Sequence, residues 1–182
     1  MRARTKENFE PQVSDPDAQY SMVYEFDVSR LEPHVVQPPK RHTVASVKDL
    51  AGTAINRGFI GSDAGGWLDH LRMAAQILKG RKIHPGVVLN ITPGTTNILR
   101  QALDEGLFKI FIDAECVVPV PNEGMEWGAN TPLSDDEVCI ASGQTNYPGR
   151  MGSEKAQIYL ANPMTVAASC LEGKIVDPRK YL

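Results

Sequence analysis

Short apolar runs and helically spaced apolar residues alternate through the middle of the chain. The short apolar run at 59–61 predicts a buried strand, and apolar residues at helical spacing over 68–78 predict a helix after it. A second strand is predicted in the same way at 87–91, and a second helix at 98–103. Strands that alternate with helices of this length predict an α/β fold, a three-layer α/β/α sandwich around a mainly parallel sheet.

The flanking segments give further predicted elements. Alternating apolar and polar residues at 23–28 predict a half-buried strand, and three prolines between 33 and 39 predict a loop. A helix-start signal near Ser46 predicts a helix over 43–58. We expect a further strand at 138–140 and a last helix over 165–171.

Length and charge limit the domain organisation and the partners. The chain has 182 residues, a net charge of −3 and 42% hydrophobic residues, as in one soluble globular domain. We predict an extended N-terminal arm at 1–20 and a single domain at 21–182. The acidic balance argues against nucleic acid as a partner, and no apolar run is long enough for a membrane span. The basic first residues are not followed by an apolar run, so we expect no secretory signal and a cytoplasmic protein.

The three cysteines predict reduced thiols and no zinc site. Cys116, Cys139 and Cys170 are far apart, odd in number and flanked by apolar residues. Their spacing is not that of zinc ligands.

Seven segments follow one another in a distinctive order. They are Gly61-Ser62, Leu78-Lys79-Gly80-Arg81-Lys82, Thr92-Pro93-Gly94, Ala102-Leu103-Asp104-Glu105-Gly106-Leu107, Tyr147-Pro148-Gly149-Arg150-Met151-Gly152-Ser153, Tyr159-Leu160-Ala161-Asn162-Pro163 and the stretch 171–179. In this order they resemble the aconitase superfamily, and most closely the large subunit of isopropylmalate isomerase (3-isopropylmalate dehydratase). The resemblance covers nearly the whole chain but only the last third of that subunit, the domain that holds the iron–sulfur cluster. It implies an aconitase-like domain.

The chain departs from this family at the cluster ligands. The family has Gly-Ser-Cys-Thr-Asn-Gly-Arg at 61–67, and here the cysteine is replaced by Asp63. The family has Cys-Gly-Pro-Cys where this chain has Glu123 and Glu126. Because a [4Fe–4S] cluster needs thiolate ligands, we expect none in this protein.

The resemblance also implies which arginine binds the substrate and that a partner is needed. Of the two family arginines that bind substrate carboxylates, Arg150 remains and the other is replaced by Thr145. The family's catalytic base comes from a swivelling domain or small subunit. We therefore expect a homo-oligomer or such a subunit to complete the cleft.

By the family's geometry, Asp63, Glu123 and Glu126 would converge on one cavity. Three close carboxylates repel one another unless a cation or protons neutralise them. They would either hold Mg²⁺ or Mn²⁺ or act as general acid and base, or else merely fill a solvent-exposed cleft. Trp67 and Trp127 follow the altered motifs and would either line this cavity or fill it with apolar bulk.

A second group of residues predicts a carboxylate-binding site. Arg150 can pair bidentately with a carboxylate, unless it serves a structural ion pair. Ser62 and the glycines Gly65 and Gly66 follow a strand in a turn that would bring backbone N–H groups to an anion. Asn146, beside Arg150, could donate a hydrogen bond, and Thr145 belongs to the same segment.

Together these features predict a cluster-free lyase or isomerase that acts on a small hydroxy or unsaturated carboxylic acid. It would work by proton transfer or addition–elimination, either with the help of a divalent metal or without any cofactor. A non-catalytic carboxylate-binding or regulatory subunit is one alternative. An engineered or excised domain of an isopropylmalate isomerase is another.

Overall fold

The computed structural model describes residues 6–40 and 42–182. The chain divides into two units, Met1–Leu31 and Glu32–Leu182. The described part of the first unit contains only turns and irregular chain. The strand predicted at 23–28 is therefore wrong: the segment has no strand partner among the described residues, and its apolar side chains are exposed. The predicted arm boundary at residue 20 stays a prediction, and residues 1–5 of that arm lie outside the described residues.

The second unit contains a mixed sheet and short helices. Its elements, in chain order, are β1 (His34–Val36), β2 (Val44–Ser46), β3 (Arg57–Gly61), α1 (Ser62–Gly65), α2 (Leu68–Leu78), β4 (Val88–Thr92), α3 (Thr96–Asp104), α4 (Leu107–Asp113), β5 (Val138–Ala141), β6 (Gln157–Leu160), α5 (Pro163–Glu172) and a 3-10 helix (Pro178–Tyr181). Among the described residues, no helix is both long and apolar enough to cross a membrane.

The sheet is mainly parallel, as predicted. Its strand order is β2-β1-β6-β5-β3-β4, in which β6, β5, β3 and β4 run parallel and β1 is antiparallel to both neighbours. Gly61 pairs with Thr92, and Phe59 pairs with Ala141. The carboxyl ends of β3, β4 and β5 therefore meet at one edge of the sheet, where the candidate site lies.

Two hydrophobic cores cover the two faces of the sheet. On one face α2, α4 and α5 pack together over Ile60, Leu89 and Ile140. On the other face, irregular segments bring Met125 and Met151 against Phe59, Cys139 and Ile158. The α/β prediction is confirmed, and the second covering layer consists of loops rather than long helices.

The regularly patterned elements agree with the sequence. Helix α2 buries Leu71, Ala75 and Leu78, which share one helical face. Helix α3 begins where the Thr95 side chain accepts a hydrogen bond from the Ile98 N–H. The predicted last helix forms as α5 and ends at Gly173, which adopts a left-handed conformation.

Two further local predictions are wrong. The segment 43–58 forms β2, a series of turns and the start of β3 instead of a helix, because Val44–Ser46 pairs with β1. The proline-rich loop contains strand β1, since the prolines flank His34–Val36 instead of interrupting it. The turn predicted at Ser62 is a single helical turn over residues 62–65, and strand β6 forms where no element was predicted.

Candidate functional site

Three carboxylates converge at the carboxyl edge of the sheet. Asp63 lies in α1 directly after β3, whereas Glu123 and Glu126 lie on the irregular segment after α4. One oxygen from each of the three lies within 4.8 Å of the others. Asp63 and Glu123 are exposed and Glu126 is buried. The structure thus brings together the acidic residues predicted for catalysis or metal binding.

Glu126 is held by hydrogen bonds from Ser62, the first residue of α1, and from Gln144, in the loop after β5. The Ser62 hydroxyl donates to Glu126 Oε2, and the Gln144 backbone N–H donates to Glu126 Oε1 at 2.9 Å. Arg150 Nη2 lies 3.6 Å from the same Oε1 atom. These partners compensate the negative charge that burial would otherwise penalise.

Asp63 and Glu123 are fixed at the surface by fewer contacts. The Gln144 side-chain amide donates to both carboxylate oxygens of Asp63, at 2.8 and 2.9 Å. Glu123 accepts a hydrogen bond of 3.1 Å from the Asp63 backbone N–H. The Trp67 indole N–H donates to the Asp63 carbonyl oxygen at 2.8 Å. Both carboxylates remain exposed, so a cation from solvent could reach them.

Sequence reasoning missed Gln144 as a member of the site. Its backbone contacts Glu126 and its side chain contacts Asp63, so it connects two of the three acids. The signal available in the sequence is its position three residues after β5, at the edge where strand ends converge.

Arg150 is buried between an acid and an aromatic ring. Its guanidinium carbon lies 3.8 Å from the centre of the Trp127 ring and 6.0 Å from that of Tyr147. Its Nε atom is buried without a hydrogen-bond partner. Arg150 thus forms an ion pair with Glu126 and is covered by Trp127, which is itself 62% exposed. The predicted contact of Arg150 with a substrate carboxylate stays a prediction. Trp67 is also largely exposed, so neither tryptophan fills a cavity with apolar bulk.

The glycines of the Ser62 turn pack tightly against the chain itself. A Cβ at Gly65 would overlap Ser142 Oγ, and a Cβ at Gly66 would lie 2.5 Å from the Thr92 carbonyl oxygen. Ser62 itself has a φ of 56°, in the left-handed region. Close packing alone accounts for these two glycines, and their proposed contact with a ligand stays a prediction.

Among the described contacts, neither Thr145 nor Asn146 bonds to the three acids. Asn146 Nδ2 donates to the Gln37 carbonyl oxygen at 2.9 Å, and the residue lines a separate cavity of about 240 Å³ beside Pro38 and Lys155. The Thr145 hydroxyl is buried without a partner. Their predicted role in substrate binding therefore stays a prediction.

The donor atoms at the site do not fit an iron–sulfur cluster. The three acids offer oxygen ligands, which suit hard divalent cations, whereas such a cluster is held by thiolates. Cys139 lies in the loop-side core, while Cys116 and Cys170 pack on the helix side. Burial raises the pKa of Cys116 and of Cys139 to about 12, so both stay protonated thiols.

Comparison with known proteins establishes the family. A model of the aconitase family (aconitate hydratase) matches residues 39–173. The chain belongs to the aconitase family. The resemblance seen in the sequence is thereby confirmed, and the site described above lies inside the matched region.

Three relatives from this family are similar over almost the whole chain, and each bears the name 3-isopropylmalate dehydratase large subunit. The protein of Sulfurihydrogenibium sp. (strain YO3AOP1) is 42% identical over 98% of this chain and 42% of its own length. That of Mycolicibacterium smegmatis is 43% identical over 96% of this chain and 42% of its own. Large subunit 2 of Archaeoglobus fulgidus is 42% identical over 93% of this chain and 41% of its own. The chain spans about two fifths of the length of these relatives.

Proposed function

We propose that this aconitase-family domain is a cluster-free lyase or isomerase for a small hydroxy or unsaturated carboxylic acid. The observation that carries the proposal is the convergence of Asp63, Glu123 and Glu126 within 4.8 Å. These acids lie at the edge of a parallel sheet where α/β proteins commonly bind ligands. Membership of the aconitase family supports the reaction class.

Asp63, Glu123 and Glu126 hold a divalent cation, Mg²⁺ or Mn²⁺, in this proposal. Oxygen donors are the preferred ligands of both ions. Glu126 is buried and fixed by hydrogen bonds from Ser62 and Gln144, whereas Asp63 and Glu123 are open to solvent. The bound cation would polarise a substrate oxygen. Without a cation, the exposed carboxylates of Asp63 and Glu123 would instead exchange protons with the substrate.

A second chain completes the cleft. The relatives named above are large subunits, and this chain matches about two fifths of each. We therefore propose a small swivelling-domain subunit or a second copy of this chain as the opposite wall. A cytoplasmic location fits the three free thiols, Cys116, Cys139 and Cys170.

The first experiment measures cation binding and turnover together. Calorimetric titration with Mn²⁺ compares the wild-type chain with Glu123→Gln and with Asp69→Asn. Asp69 is an exposed acid that pairs with Arg72, so its variant controls for loss of one surface charge. We expect Glu123→Gln to weaken Mn²⁺ binding at least about tenfold and the control to leave it unchanged. Proton NMR in D₂O with a panel of small hydroxy and unsaturated acids then detects C–H exchange or a new product.

Two results would count against the proposal. Equal Mn²⁺ affinity in the wild-type chain and in Glu123→Gln would show that the Glu123 carboxylate does not bind the metal. Undiminished exchange in both Glu123→Gln and Glu126→Gln would remove them from the reaction.

A non-catalytic, carboxylate-binding or regulatory subunit is the second candidate. The observation that favours it is the engagement of Arg150 by Glu126 and Trp127, which leaves the guanidinium covered by the protein's own side chains. Ligand-induced line broadening in the NMR experiment without exchange or product would identify this function.

A further inference from the structure

The segment 22–28 has the residue pattern of a strand but no strand partner among the described residues. Apolar side chains at every second position are 63–81% exposed; they are Met22, Tyr24, Phe26 and Val28. The Tyr24 and Phe26 rings stack with their centres 6.3 Å apart, so both lie on one side of the extended chain. Within 19–31, the described backbone-to-backbone hydrogen bonds comprise only that from Leu31 N–H to the Val28 carbonyl oxygen. The segment thus keeps an apolar face and its backbone groups available to another strand.

The sheet has an open edge at β2, where such a strand can pair. β2 is the last strand on its side of the sheet. Val44 lies opposite Val36 in the register, and the neighbouring Gln37 N–H donates to the Thr43 carbonyl oxygen at 2.7 Å. Because hydrogen-bonded and non-hydrogen-bonded pairs alternate in an antiparallel ladder, the backbone N–H and C=O of Val44 point away from β1. The Val44 side chain is 54% exposed, so this edge offers both hydrogen bonds and an apolar contact.

Charge favours the β2 edge as the partner of the segment. Lys40 precedes β2 and Lys48 follows it, both at exposed positions. Lys48 pairs with Glu32, whereas Lys40 has no acidic partner among the described contacts. The segment carries the exposed acids Glu25 and Asp27. Two copies of the segment paired with each other would bring these acids together across the ladder, and like charges opposite one another destabilise a sheet.

The β2 edge of the same chain is out of reach for antiparallel pairing. Residues 29–33 alone join the segment to β1. A strand antiparallel to β2 would run parallel to β1, since β1 and β2 are antiparallel to each other. Parallel strands of one chain need a connection of about a dozen residues or more. The β2 edge of a second copy is not subject to this limit.

We propose that the segment 22–28 of one copy pairs antiparallel with β2 of a second copy, and that two copies exchange their segments in this way. The apolar side chains of the segment then lie beside the exposed Val44 side chain as cross-strand neighbours. A two-fold exchange closes on itself and gives a dimer. β1, β6 and β5 separate β2 from β3, the strand that leads to the three acids, so this inference goes beyond the proposed function and does not depend on it.

The mass of the protein in solution tests the exchange. Sedimentation velocity at increasing concentration should give the wild-type chain twice the 20.0 kDa of one copy. Phe26→Lys breaks the apolar face, and Val44→Pro removes an outward N–H, a change that an edge strand tolerates. Each variant should raise the dissociation constant of the dimer at least about tenfold. Two controls should leave it unchanged: Val13→Lys, at an exposed position outside the segment, and Val44→Thr, which keeps the N–H.

A mixture of the two disruptive variants separates an exchange from any other contact between copies. Phe26→Lys keeps an intact β2 edge, and Val44→Pro keeps an intact segment. Each is expected to be monomeric alone, and the two together are expected to form a mixed dimer through the one contact that remains. Native mass spectrometry identifies the mixed dimer by its mass.

Four results would overturn the exchange. They are a monomeric wild-type chain, a dimer that both variants leave intact, a dimer lost in Phe26→Lys but kept in Val44→Pro, and a mixture without a mixed dimer. The third result would mean that the segments pair with each other. Should Val44→Pro fail to fold, hydrogen exchange decides. Protection of the Val44 amide in the wild-type chain that is lost in Phe26→Lys supports the exchange, and equal exchange in both proteins overturns it. The Mn²⁺ titration tests the proposed function separately, because Phe26→Lys leaves the three acids unchanged.

Discussion

Arg150 Nη2 lies 3.6 Å from Glu126 Oε1, and the two side chains are only 6% and 2% exposed. The arginine thus balances the least accessible of three clustered carboxylates. The two that remain, Asp63 and Glu123, are exposed and lack a paired arginine or lysine in the described contacts. Their combined charge equals in size that of one divalent cation, and this agrees with the metal binding proposed above.

Arg150→Met is expected to destabilise the protein strongly. The change leaves Glu126 buried without its cationic partner, which typically costs about 3–5 kcal/mol. Urea unfolding followed by circular dichroism measures the free energy of unfolding. The control is Lys155→Met, which removes an exposed ion pair with Asp135 and should cost less than about 1 kcal/mol.

The double variant Arg150→Met with Glu126→Gln separates the ion pair from simple packing. If the buried charge causes the loss, the neutral glutamine should restore more than half of the lost free energy of unfolding. If the two single variants instead lose amounts of unfolding free energy that simply add in the double variant, the charge pair is not the cause. Such additivity would show that Arg150 stabilises the protein through its packing against Trp127.

Gln144→Leu is expected to weaken cation binding with little effect on folding. The glutamine amide orients both oxygens of Asp63, and loss of such a supporting contact typically lowers metal affinity by about 10–100-fold. Because Gln144 is exposed, its loss should change the free energy of unfolding by less than about 1 kcal/mol. Mn²⁺ titration of this variant and of the surface control Gln101→Leu is the measurement. Equal affinity in both variants would contradict a positioning role.

Gly65→Ala tests whether the Ser62 turn needs its glycine for packing. The new methyl group would overlap Ser142 Oγ and lie 2.7 Å from the Ser142 carbonyl oxygen. We expect a loss of about 1–3 kcal/mol in the free energy of unfolding. A variant of normal stability that no longer binds its carboxylate ligand would instead assign this glycine to the ligand.

Stability should fall in alkaline solution because of the buried thiols. Burial raises the pKa of Cys139 from an ordinary 9.0 to about 12. Above about pH 9 the unfolded chain releases this proton while the folded chain keeps it, so the free energy of unfolding decreases as the pH rises towards 12. The expected loss is about 1 kcal/mol per pH unit for this thiol. Urea unfolding at pH 8 and pH 10 should show a smaller decrease for Cys139→Ala than for the wild-type chain; equal decreases would exclude the thiol as a cause.

Elements with a clear period could be predicted from the sequence, and elements that depend on a distant partner could not. Helix α2 and strand β4 bury a regular set of their own residues, so their patterns are local. Strand β2 is three residues long and exists because it pairs with β1, and the helix-start signal near Ser46 says nothing of that pairing. The segment 23–28 shows the opposite error, since it alternates like a strand but has no strand partner among the described residues.

The same distinction applies to the site. The residue types at 63, 123 and 126, together with the family resemblance, were enough to predict an acidic cluster of this composition. The contacts of Arg150 with Glu126 and Trp127 could be found only in the structure. The same holds for the hydrogen bonds by which Gln144 connects two of the acids. The sequence determined the fold class and the parallel strands β3, β4 and β5 through residue type and local period, and the acidic character of the site through residue type and the family resemblance. Only the tertiary structure decided which acid is buried, what neutralises it and which polar atom lacks a partner, because hydrogen bonds and desolvation depend on distances between residues far apart in the chain.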